Sequence, residues 1–170
     1  MVGRRKFVYQ ERLFKGWCGP AVLAMALRSF GFPVTQEELA KKAPFDPDWG
    51  TDHQAMLRGA RFFVPETYEA PGYSLEDLGN LAKRNAIVVN FMDTEPGKEP
   101  LHGVGNGEDG HYVLLNRLTK KDLVVVDPNP ISPVDGGFRK IDRDWFERHF
   151  WDIDRGWKVS ERWALVIPAV

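Results

Sequence analysis

The chain of 170 residues holds one cysteine, Cys18, at the mouth of an almost wholly apolar stretch, KGWCGPAVLAMALRSFG (residues 15–31). A lone thiol cannot form an internal disulfide, so the chemistry open to it is nucleophilic attack or metal ligation. At a helix mouth, the unpaired backbone N–H groups and the positive end of the helix dipole favour thiolate, the form that attacks a carbonyl. By residue type alone, a cysteine beside a core helix is inert packing. A nucleophile also needs a base within hydrogen-bond reach and a third group to orient that base. Four histidines are available: His53, His102, His111 and His149. His111 opens a strand just after a Gly-rich loop, and Asp127 closes the next one. If the hairpin is tight around residues 119–121, the two strand ends lie side by side and the carboxylate can hold the imidazole. Taken singly, His111 is a capped strand end and Asp127 an Asp-Pro turn former. With Cys18 upstream, the three fit the roles of nucleophile, base and orienter. A metal site is disfavoured, because neither CxxC nor HExxH occurs.

The elements that must position these residues follow from pattern. Ala21 to Leu27 leave no polar face, so this helix is expected to be enclosed on nearly every side. Gly19 and Pro20 mark its start and Gly31 its stop. Phe7–Tyr9 reads as strand, and Gln10 after it, on a separate element from Cys18, is by itself a surface amide. Thr35 with Glu38, and Thr51 with Gln54, form capping-box patterns for two short helices, the second carrying His53 in its polar first turn. Ser74 opens a fourth helix with Leu75, Leu78 and Leu81 on one buried face. From Ala86 the pattern turns to strand: 86–92, then 111–117 and 123–127 as a hairpin, a short strand at 138–141 and a last one at 162–167. Residues 143–150 form a short amphipathic helix with Trp145, Phe146, Phe150 and Trp151 as core aromatics and His149 on its polar face. The loop 93–110 is long enough to act as a lid, or simply to be solvated. Helices first and strands second is the α+β order.

Composition excludes several classes. Hydrophobic residues at 43% and charged ones at 28% are those of a globular chain that can bury a core without staples. A net charge of -1 offers no electrostatic reason for a nucleic-acid or membrane partner. No signal peptide or spanning segment is apparent, so a cytoplasmic, single-domain enzyme or binding protein covering 1–170 is expected.

The residues also carry a family resemblance. Gln10, WCGPAVLAMALRSFG, GTDHQAMLRGAR, DGHYVLLNRL and VVVDPNP together resemble the papain-like bacteriocin-processing peptidases, the double-glycine leader peptidase family, and their free-standing relatives. The resemblance runs from about Tyr9 to Trp151, with its specific part in the Cys and His–Asp segments. It implies a papain-like fold: an N-terminal helical half led by the nucleophile helix, packed on a C-terminal antiparallel sheet, with the active site between them. It also implies Cys18 as nucleophile, His111 as base, Asp127 as orienting acid and Gln10 as the amide that helps bind the oxyanion. The expected activity is hydrolysis of a peptide or amide bond through a thioester on Cys18, with a peptide or protein as substrate and no cofactor or metal. Two alternatives share the fold: acyl transfer to an acceptor other than water, and a peptide-binding module without turnover. The leader peptidases usually front a membrane transporter. This chain has neither spanning helices nor a nucleotide-binding domain, so cleavage after a Gly-Gly pair is not implied.

Overall fold

The apolar stretch becomes α1 (Cys18–Arg28), with Cys18 as its first helical residue and Trp17 at the N-cap. Pro20 lies in the first turn, where its missing N–H costs no hydrogen bond. Gly31, at φ +91°, takes the left-handed backbone that ends the helix. The chain continues with α2 (Gln36–Lys42), α3 (His53–Arg61), β1 (Tyr68–Glu69), α4 (Leu75–Leu81) and β2 (Ala86–Met92). Next come β3 (Gly110–Leu118), β4 (Asp122–Val126), β5 (Phe138–Asp142), α5 (Arg143–His149), β6 (Trp151–Asp154), β7 (Lys158–Glu161) and β8 (Ala164–Ile167). These come from a computed structural model that describes residues 7–14, 16–46, 50–92, 110–129, 137–154 and 158–170, except the side chains of 154 and 158. The expected lid in 93–110, with His102, lies outside the described residues apart from Gly110.

Six strands form one antiparallel sheet in the order β1-β8-β2-β3-β4-β5, and β6 pairs with β7 as a separate ribbon. Strand β2 is central and buried along its whole length, which accounts for a nearly continuous apolar run where an edge strand would alternate. One face of the sheet carries Val88, Leu114, Val126 and Leu165 against α1 and α3, with α2 packed on those two helices. The other carries Ile87, Val89, Val113, Leu115 and Val125 against α4 and α5. Residues Ala21 to Leu27 are fully buried, as the absence of a polar face requires.

Both α2 and α4 begin in capping boxes, Thr35 with Glu38 and Ser74 with Asp77. Four details differ from the pattern. Asp52, not Thr51, caps α3, accepting from the Ala55 N–H at 2.6 Å. Thr51 is turned inward instead, so close to Gly19 that a Cβ there would lie 2.8 Å from the Thr51 side chain. His53 is consequently buried, not in a polar turn. His149 is also buried, its ring stacked 3.8 Å from that of Trp145 and its Nδ1 2.7 Å from the Trp145 carbonyl. Phe7–Tyr9 joins no ladder. The backbone just after it is engaged elsewhere, Arg12 N–H with the Pro128 carbonyl at 3.0 Å and Leu13 N–H with Gln36 Oε1 at 3.1 Å. The ribbon β6–β7 and the short β1 had no period long enough to reveal them.

Candidate active site

Three elements converge on Cys18: the first turn of α1, the start of β3 and the end of β4. The thiol is hydrogen-bonded to the His111 ring and to the Tyr112 backbone N–H. His111 Nε2 stands 2.6 Å from Asp127 Oδ1, which leaves Nδ1 as the ring nitrogen for the sulfur. The geometry therefore brings together Cys18, His111 and Asp127 from the two halves of the fold.

A bulge makes the His–Asp contact. The β3–β4 register runs Leu118↔Leu123 and Arg117↔Val124, then jumps to Leu115↔Val125 and Leu114↔Val126. Asn116 is the extra residue. In unbroken register Asp127 would face Leu114 and point to the α1 side. With the bulge it falls opposite Val113, on the same face as His111, because a one-residue slip exchanges the faces of a strand.

The carboxylate of Asp127 is fully buried and held at both oxygens. Oδ1 also accepts from the Asn129 N–H at 2.9 Å, and Oδ2 accepts from Arg139 Nη1 at 3.0 Å. Its backbone N–H donates to the Gly137 carbonyl at 2.9 Å. Gly137 has φ +79°, and a Cβ on it would fall inside the Tyr9 ring, so a larger residue there would displace the N-terminal segment.

Electrostatics follow from these contacts. Burial alone would raise the Asp127 pKa, but the hydrogen bond and charge of His111, the Asn129 N–H and Arg139 outweigh it and hold the carboxyl well below its ordinary range. Burial would lower His111, yet its bonds to Asp127 and Cys18 push the ring up to about 9. For Cys18, burial raises the thiol, but the hydrogen bond and charge of His111, the Tyr112 N–H and the charge of Arg12 bring it below its ordinary value. The arrangement favours a thiolate–imidazolium pair with a carboxylate behind it. Cys18 is only 5% exposed and the His111 side chain 14%, so the ring edge is the more open side of the site.

Gln10 lies elsewhere. Its amide sits between Gln36 and Arg28, and with its oxygen toward the guanidinium it accepts from Nε at 3.2 Å and Nη1 at 2.6 Å. Arg28 is the last residue of α1, ten positions and about 15 Å of helix rise from Cys18. The structure does not bring Gln10 to Cys18. Sequence reasoning missed Arg12, Arg139 and the Tyr112 N–H; no spacing signals an arginine's partner, and a backbone donor has no side-chain signature. Trp17, next to Cys18, is packed edge-to-face between Phe14 and Phe45, with centroids 4.7 and 5.4 Å away.

Among the described residues, no three or more His, Cys, Asp and Glu side chains are gathered to hold a metal ion. No helix among them is long and apolar enough to cross a membrane.

Residues 5–156 match the Peptidase_C39 like family. An uncharacterized protein of Methanothermobacter thermautotrophicus is 28% identical over 127 residues, covering 75% of this chain and 74% of that protein. Among solved structures, the chain is similar to a putative C39-like peptidase from Bacillus anthracis (TM-score 0.70, 19% identity, 93% of this chain and 92% of that one). It is also similar to a double glycine motif protease from an AMS/PCAT transporter in complex with its leader peptide (TM-score 0.67, 22% identity, 99% and 95%). A third similar structure is the peptidase domain of Streptococcus ComA, a bifunctional ABC transporter (TM-score 0.66, 14% identity, 96% and 99%).

Proposed function

Because this chain belongs to the Peptidase_C39 like family, we propose that it is a cysteine peptidase acting on peptide or protein substrates through Cys18, His111 and Asp127. One observation carries the reading: a single imidazole bonded on one side to the only thiol and on the other, at 2.6 Å, to a buried carboxylate. In this reading the Cys18 thiolate attacks the scissile carbonyl, forming the C–S bond as the C–O π pair moves onto oxygen. The Cys18 backbone N–H, with no carbonyl one turn earlier to bind, supplies one donor to that oxygen. The pair then returns, the C–N bond breaks, and His111 gives its Nδ1 proton to the leaving amine. Water, deprotonated by His111, hydrolyses the thioester and releases the acid. Asp127 holds the ring in the orientation that presents Nδ1 to sulfur.

The test is intact-mass spectrometry after incubation with a peptidyl epoxide, with hydrolysis of a peptide library measured in parallel. A single adduct on the unsubstituted protein, none on Cys18→Ala, and library cleavage lost in that folded variant are expected. Cleavage that persisted in Cys18→Ala would sink the proposal. The 5% exposure of Cys18 favours one second reading, a peptide-binding module of the same fold without turnover. That reading predicts labelling of Cys18 no faster than of free cysteine, and no cleavage.

A further inference from the structure

A carboxylate that binds an imidazole as tightly as Asp127 does makes the second half of the reaction harder. The contact between Asp127 Oδ1 and His111 Nε2, 2.6 Å, is at the short end for such pairs, and together with Cys18 it pushes the ring up to about 9. So weak an acid is slow to release its proton, because transfer is most effective from a group that titrates near the working pH. Arg139 supplies a counterweight. Its Nη1 donates at 3.0 Å to Asp127 Oδ2, the oxygen that His111 does not use.

Strand pairing puts the guanidinium there. Asp127 stands opposite Gly137, to whose carbonyl its N–H donates at 2.9 Å. Arg139, opposite Val125, is two residues further along and so on the same face. Ile141, the next residue on that face, is buried in the core. A charged side chain therefore takes an inward-facing position on an edge strand, next to a buried carboxylate. Thiolate, imidazolium and carboxylate carry one negative charge in excess, and the guanidinium brings the set to zero. Its side chain is 40% exposed, against 0% for Asp127, so it joins the site from the solvent side. Other charged or titratable groups near the ring are Cys18 on α1, Arg12, whose charge acts on the sulfur, and the Tyr9 phenol beside Gly137. Asp152 of β6 lies beside Gly110, on the opposite face of β3, and β2 presents the uncharged Phe91 ring, 5.7 Å away.

Resting on the peptidase reading, we infer that Arg139 is a positioning residue for proton transfer: by sharing the Asp127 carboxylate it limits that carboxylate's hold on the imidazolium, so that the Nδ1 proton can pass to the leaving amine. In that step the C–N bond breaks, its electron pair stays on nitrogen, nitrogen takes the Nδ1 proton, and the ring is left neutral. Arg139 gains and loses no proton, and it acts through Asp127.

The sign of one titration separates this role from simple anchoring of the carboxylate. Iodoacetamide alkylation of Cys18, followed by intact mass across pH, has an upper step where His111 loses its proton. Arg139→Gln removes a positive charge, so the imidazolium is held more firmly and the step moves up. An arginine that only anchored Asp127 would loosen it when removed, and the step would move down. Cleavage of a peptide library needs a proton for the leaving amine, whereas acylation by p-nitrophenyl acetate does not, since p-nitrophenolate leaves as the anion. The ratio of cleavage to acylation is expected to fall about tenfold in Arg139→Gln, part of the roughly 10²–10⁴ that proton transfer contributes. Arg139→Lys keeps the charge and restores most of both readings. Concentrated salt gives the same test without a substitution: it screens the partly exposed guanidinium more than the buried pair, so the upper step of the unsubstituted protein moves up. An upper step that stays or moves down under either treatment, or a ratio within about threefold of the unsubstituted protein, overturns the role of Arg139 and leaves the nucleophile intact. An unsubstituted protein that cleaves nothing in the library overturns the peptidase reading itself, and this inference with it.

Discussion

At the scale of single residues, the site's ionisation is set by a chain of neighbours. Asp127 raises His111, and protonated His111 lowers Cys18. The sign of each perturbation follows. Iodoacetamide alkylation of Cys18 is expected to titrate below the ordinary thiol range of about 8.5, with a second step near pH 9, where His111 gives up its proton. Asp127→Asn removes the negative charge that raises the ring, so the second step moves down toward about 6.5 and the thiol step moves up. Peptide turnover by that variant should fall by roughly 10²–10⁴ through loss of ring orientation. An alkylation profile identical in the two proteins would separate Asp127 from the titration of the site. The residue types of this trio were readable in the chain, since a helix-mouth thiol and a His–Asp hairpin are rare in combination. The partners of Asp127 were not, because Arg139 meets it only through the β4–β5 pairing.

Among the elements, α1 is constrained on both flanks by glycines that allow close approach. A Cβ on Gly59 would lie 2.7 Å from Ala43 Cβ and 3.3 Å from Leu23 Cδ1. Alanine in a helix interior is ordinarily worth about 1 kcal/mol over glycine. Here the obstacle is a short, buried alanine that cannot swing aside, and overpacking of this kind costs about 1–3 kcal/mol. Gly59→Ala is therefore expected to lower stability, read as a reduced urea midpoint with unchanged slope. A raised midpoint would mean that α2 and α3 yield more easily than their packing implies. The helix starts show how far pattern reading reaches. Thr35–Glu38 caps as its spacing says, because a capping box needs only local backbone; Ser74 opens α4 as read, and its box with Asp77 emerges in the structure. Thr51 does not cap α3, since its side chain fills the space against Gly19, and the neighbouring Asp52 takes the position. A competitor that comes from another helix has no local signature.

Across the whole molecule, a second buried polar cluster ties the helical half to the sheet and the β6–β7 ribbon. Asp152 Oδ2 lies 3.0 Å from His53 Nε2 and accepts from Asn90 Nδ2 at 2.9 Å, and Oδ1 accepts from the Ile153 N–H at 2.8 Å. The His53 ring stacks at 4.0 Å on Trp163, the residue just before β8. Replacing Asp152 by Ala leaves the buried Asn90 amide on β2 without its acceptor and the His53 ring without its neighbouring carboxylate, a loss of about 1–3 kcal/mol. Iodoacetamide alkylation of Cys18 is expected to stay unchanged, because none of these groups is among those that perturb the sulfur. Urea unfolding and the alkylation rate check both halves of that statement. A stability unchanged by Asp152→Ala would remove the cluster as a tie between the layers.

By itself the sequence determined which residues could react and which stretches must be buried. Those are matters of side-chain type and local period: one thiol at a helix mouth, a helix with no polar face, an apolar strand, and the capping box at Thr35. Tertiary structure alone decided which groups meet. The bulge at Asn116 turned Asp127 onto the face of His111, Arg28 drew Gln10 to the other end of α1, and the Pro128 carbonyl bound the Arg12 backbone next to Asp127. Each depends on contacts between segments far apart in the chain, which the order of residues does not encode in any local pattern.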